Sequence, residues 1–171
     1  MRLSKRFELS ISKDLWDLVA LAYALYVVGN TDTAFQVLSL LNKAEFNSNY
    51  NLWTPIEYGV VLQSAIHRAK NDDELAKSCI EKITLPREQY DPHGINKKVL
   101  ARVRNGSTLD YDDIEKAKNE KSEYSNRMTH LYKLMFIREL GGGTEFSVDR
   151  ADKEIQENIE KLKALIEFFN E

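Results

Sequence analysis

Apolar residues recur along this chain at helical spacing, and short polar turns punctuate them. From Leu15 to Val28 only Asp17 carries a charge. That stretch predicts a helix over about Lys13 to Val28, capped by Ser12 or Ser10. A helix apolar on nearly every side belongs in the middle of a fold, with others around it. Gly29-Asn30 has the composition of a left-handed C-terminal cap. Thr31 is then placed to cap a helix over Asp32 to Asn42, with Phe35, Leu38 and Leu41 on one stripe. After a polar connector, Lys43 to Asn51, Thr54-Pro55 reads as a cap followed by proline at the first helical position, opening a helix to about Lys70. Asn71 stands where the first turn has glycine. Asp72 or Asp73 opens the next helix, which reaches Ile83 and stops at Leu85-Pro86.

Farther on, Asp91-Pro92 predicts a turn, and Ile95, Val99 and Val103 predict a short helix to Arg104. Asp110 is the expected cap of a long pattern from Tyr111 to Leu140, whose polar part, Glu115 to Glu123, must project into solvent or break. Gly141-Gly142-Gly143 stops it. Ser147 can cap a last helix over Val148 to Asn170, where Ile155, Ile159, Leu162, Ile166 and Phe169 form a narrow stripe suited to the outside of a stack. The expectation is an all-α fold of about seven helices in a single domain over 1–171, with antiparallel hairpins stacked as in an α-solenoid or bundle. Phe7 to Ile11 alternates, but one such segment without a partner makes no sheet.

Composition supports this picture. Seven Gly and three Pro in 171 residues leave room for long helices, and 43% hydrophobic residues suffice for a core. A formal charge of −3 argues against general nucleic-acid binding and suits a basic partner. A lone cysteine, Cys79, cannot form an internal disulfide and fits a reducing compartment. The longest apolar run, Leu18 to Val28, falls well short of the about 20 residues that span a membrane. With a polar N-terminus that lacks an apolar signal core, these features predict a cytoplasmic protein that engages neither nucleic acid nor membrane.

Two turns echo one another. Gly29-Asn30-Thr31-Asp32-Thr33-Ala34 and Asn71-Asp72-Asp73-Glu74-Leu75-Ala76 lie 42 residues apart, each followed by aliphatics at matched offsets, Leu38 and Leu41 or Ile80 and Ile83. Such a period is the mark of stacked helix pairs. Through Leu18, Leu21, Ala22, Leu25, Gly29, Ala34 and Leu38 the first hairpin resembles a tetratricopeptide-type repeat. The second departs from that pattern at Val60, Gln63, Ser64 and His67. The resemblance implies helical-hairpin packing and recognition of a peptide or protein by a concave face.

Catalytic signals are sparse. His67, His93 and His130 lack the spacing of a metal site, and no cofactor motif is present. His67 is expected to be exposed near a turn, His130 partly buried, and Cys79 a buried structural thiol. An enzyme, in the form of a small hydrolase, would need Asp91, His93 and His130 to converge. The glycine run lacks the lysine of a phosphate loop. What remains points to contact with another protein. Tyr23, Tyr26, Trp53 and Tyr58 are the aromatic candidates for that contact, although ordinary core packing is the favoured reading of each. Asp72, Asp73, Glu74, Asp110, Asp112 and Asp113 are acidic candidates that also suit helix N-termini. The function expected is a non-catalytic protein-binding module, in concrete form a bacterial inhibitor of the immunity or antitoxin kind that masks a basic toxin domain. A peptide-binding adaptor or regulator of the helical-repeat type is the alternative.

Overall fold

A computed structural model describes residues 8–46, 52–89, 120–140 and 148–170. Among them it has six α-helices, one 3-10 segment and no strand, an all-α architecture. The helices are α1 (Ser12–Val27), α2 (Thr31–Leu38), α3 (Trp53–Ala69), α4 (Asp73–Gln89), α5 (Glu120–Leu140) and α6 (Val148–Asn170). The 3-10 segment, Ser39–Lys43, continues α2. The expected helix over 95–104, the caps at Asp110 and Ser147, and the break at Gly141 to Gly143 lie outside the described residues. The chain divides into two compact units, Met1–Cys79 and Ile80–Glu171, and α4 crosses the division.

In the first unit the turn between α1 and α2 closes as expected. Gly29 adopts a left-handed φ of 84°. The Asn30 N–H donates to Leu25 O and the Gly29 N–H to Tyr26 O, which satisfies carbonyls the helix end would leave bare. The turn between α3 and α4 repeats this geometry at the 42-residue offset. Asn71 has φ 60°, Asp72 N–H donates to His67 O and Asn71 N–H to Arg68 O. Asparagine tolerates the left-handed region because its short polar side chain bonds locally. Caps match as well: Asn30 Oδ1 accepts from Thr33 N–H at 3.4 Å, and Asp72 Oδ1 from Leu75 N–H at 3.3 Å.

Several expected boundaries shift. Asn30 rather than Thr31 caps α2. Neither Ser10 nor Ser12 caps α1, because the helix starts at Ser12 itself behind Ile11. Trp53 opens α3, which places Pro55 at the third helical position, where a missing N–H still costs nothing. Helix α4 runs through Pro86 to Gln89 instead of stopping at Leu85. Proline inside a helix removes one hydrogen bond without forbidding continuation.

A larger correction concerns the middle of the first unit. Helix α1 buries one side, through Leu15, Leu18, Val19, Ala22, Tyr23 and Val27. It is α3 that is enclosed nearly all round, with every residue from Gly59 to Ser64 buried. Helix α3 packs on α1, on α2 and on the 3-10 segment. Its polar residues disguise this in the sequence, because they serve as cross-links between helices. Gln63 Nε2 donates to Leu38 O at 2.9 Å, capping the carbonyl where α2 tightens into its 3-10 turn. Ser64 Oγ donates to Ala76 O at 3.0 Å and fastens α4.

The second unit contains the hairpin of α5 and α6, which pack on one another. Along α6 the buried positions are Ala151, Ile155, Asn158, Ile159 and Leu162. Of the expected stripe Ile155, Ile159 and Leu162 are buried and Ile166 is half-buried, while the side chain of Phe169 lies outside the described residues. Helix α5 buries Leu131, Leu134 and Met135 among others. Polar bonds pin the pair at two levels. Arg138 Nε donates to Asp152 Oδ1 at 2.7 Å, and Asn158 Nδ2 to Arg127 O at 2.8 Å.

Candidate functional site

The residues expected to contact a partner divide by location. Tyr23 is fully buried, and its hydroxyl donates to Tyr58 O at 2.8 Å, tying α1 to α3. Trp53 is buried edge-on against Phe46 at 5.1 Å. These two aromatics are interior residues and offer no surface, a correction to their expected role. Their polar handles and ring edges are used inside the unit. Tyr58 is half-buried with its ring 5.9 Å from that of Trp16, and Tyr26 is half-buried near the end of α1. Asp72 is engaged in capping, while Asp73 and Glu74 are exposed in the first turn of α4. Asp110, Asp112 and Asp113 lie outside the described residues, as do Asp91 and His93.

The other chemical candidates settle as follows. Cys79 is buried, as expected of a structural thiol. His67 is half-buried, not exposed, because its ring stands edge-on to Phe35 at 5.0 Å. Lys70 lies 5.6 Å over the same Phe35 ring and pairs with Asp32 at 3.2 Å, fastening the end of α3 to the start of α2. Among the described residues no three His, Cys, Asp or Glu side chains gather as metal ligands would.

His130 is buried on α5, with Nε2 4.0 Å from Glu154 Oε2 on α6. Burial holds its imidazole below the ordinary value of 6.5, against the upward pull of Glu154 and with a further push down from Lys133 and Arg127. The unfolded chain takes up this proton first as pH falls, so stability present above about pH 6.5 drains away on acidification until the folded pKa is passed. Urea unfolding of His130→Gln is expected to show a shallower loss of stability between about pH 7 and pH 5 than the parent chain. Equal slopes would contradict this assignment.

The surface that sequence reasoning missed is the outward side of α1. It follows from setting α1 beside α3 at the offset of the repeated turn. Gly59, Gln63, His67 and Lys70 form the stripe of α3 that receives α2 and its 3-10 extension. A Cβ at Gly59 would meet Leu41, Val19 and Leu38. Gln63 bonds Leu38 O, His67 meets Phe35, and Lys70 meets Asp32. The corresponding stripe of α1 is Asp17, Leu21, Leu25 and Val28, with Ala20 and Ala24 alongside. Here no α2-like helix of the described residues is seated: α1 packs on α2 and α3 through its opposite side. Val28 is 49% exposed, Ala20 is exposed, and Leu21, Ala24 and Leu25 are partly so. The one charge, Asp17, is neutralised by Lys13 one turn away at 2.6 Å. The signal was legible in the all-round apolarity of α1, but that pattern suits a central helix equally, and only burial assigns the centre to α3.

The chain belongs to a family of unknown function (DUF6707), whose model matches residues 1–164. No curated protein and no solved structure matches it. No helix among the described residues is long and apolar enough to cross a membrane.

Proposed function

We propose that this chain is a non-catalytic protein-binding module whose docking face is the outward stripe of α1. The observation that carries the proposal is the correspondence between that stripe and the stripe of α3 already filled by α2. A helix built apolar on two opposite sides gains by covering the second. Burying a leucine or valine fully contributes about 1.5–3 kcal/mol, and an open apolar stripe flanked by polar residues is the ordinary form of a contact surface. What fits is an amphipathic helix running antiparallel to α1, as α2 runs on α3.

A narrower form of the proposal, an inhibitor of the immunity or antitoxin kind, draws support from a separate edge. Asp73 and Glu74 are exposed at the start of α4, and the Asp32 side chain, 84% exposed, lies at the same end through its pair with Lys70. An acidic edge speeds encounter with a basic partner, and that rate falls as salt rises.

The test is a photo-crosslinking amino acid placed at the exposed position Ala20 in cells that make the protein. Irradiation is expected to give a discrete covalent adduct with a protein, lost when Val28→Glu is added. Absence of any protein adduct, or one indifferent to Val28→Glu, would count against the docking face.

A further inference from the structure

Resting on that docking face, we infer that its occupant is the same stripe of a second copy of this chain, laid antiparallel across a two-fold axis. The stripe is self-complementary in size. Turned end for end about a point between Leu21 and Ala24, it sets Leu21 on Ala24 of the second copy and Ala20 on Leu25, each large side chain against a small one. Because the contact is isologous, every such pair occurs twice. Asp17 then meets Val28 at each margin, where Lys13 already balances its charge. The positions Asp17, Leu21, Ala24 and Val28 are spaced four, three and four apart, the seam that paired helices present to one another.

Charge agrees with this arrangement. The last turn of α1 contains no basic residue, although a helix C-terminus favours a cation. Antiparallel pairing brings Lys13 of one copy, whose side chain is 75% exposed, just beyond the last turn of the other. The stripe carries no net charge that would set two copies against each other.

Sedimentation equilibrium of the full chain over roughly 5–500 µM tests the inference. The expected result is a monomer–dimer equilibrium that stops at two, with Val28→Glu folded and monomeric throughout. Should Val28→Glu fail to fold, Ala20→Lys replaces it with the same expectation. The deciding variants are Leu21→Ala and Ala24→Leu. Each alone puts like sizes together and is expected to weaken the dimer about 10-fold, while the two combined restore large against small and return it to within about 3-fold of the parent. A merely greasy surface would instead bind more tightly with Ala24→Leu, and that outcome overturns the pairing. So does a chain that is monomeric throughout, or one that assembles beyond two copies. A monomeric chain that still gives an Ala20 adduct with a different protein overturns the second copy and leaves the docking face standing.

Discussion

Gly59→Leu is expected to cost this protein about 3 kcal/mol, the upper end of what overpacking usually exacts. Even a single Cβ at this position would overlap Leu41 Cδ1, press on Val19 at 3.3 Å and touch Leu38 at 3.5 Å. Those three residues come from α1, α2 and the 3-10 segment, and all are buried. Gly59 is therefore a point of close approach between α3 and three neighbours, and a leucine there must push them apart together. Gly59→Ala should cost less, because the first atom it meets is the far end of a flexible side chain. Equilibrium urea unfolding of the two variants measures both values. Leucine tolerated as well as alanine would mean the approach is looser than described.

Arg138→Met is expected to cost about 3 kcal/mol, the penalty typical of removing one partner from a buried ion pair. The guanidinium is 20% exposed and bonds Asp152 across the hairpin at 2.7 Å and Glu139 at 3.1 Å. Glu139, whose side chain is fully buried, would lose the guanidinium beside it. Burial pulls the Arg138 guanidinium down, but hydrogen bonding to Asp152 and the attraction of the Glu139 and Asp152 carboxylates together outweigh it and hold the group above its ordinary pKa. Pairing the change with Glu139→Met should recover most of the loss, since an apolar pair of similar volume often replaces a buried ion pair at little cost. Chemical denaturation of the single and double variants decides it. Failure of the double variant to recover would place the main role of Arg138 on Asp152 instead.

The helical class and most helix starts were legible because turn chemistry is local. Gly29 and Asn71, at matched places, reveal the left-handed residue their turns require, and Val148–Asn170 follows from a stripe that only a helix can align. What was illegible depends on partners distant in sequence. Gln63 and Ser64 look like solvent-facing residues until Leu38 O and Ala76 O are found opposite them. Pro86 looks like a stop, yet α4 continues past it. The site suffered from the same limit. Tyr23 and Trp53 carry the composition of a contact surface, but their burial assigns them to the interior. The face of α1 emerged only by comparing what each helix had already used.

The amide of Gln63 closes a helix made 25 residues earlier. On the ribosome, α1 and α2 are synthesised while the group that finishes α2 is still to be translated. Until it arrives, the Leu38 carbonyl lacks the amide that α3 supplies. The 3-10 tightening after Leu38 should therefore be among the late events of synthesis, locked only when α3 emerges and swings back against it.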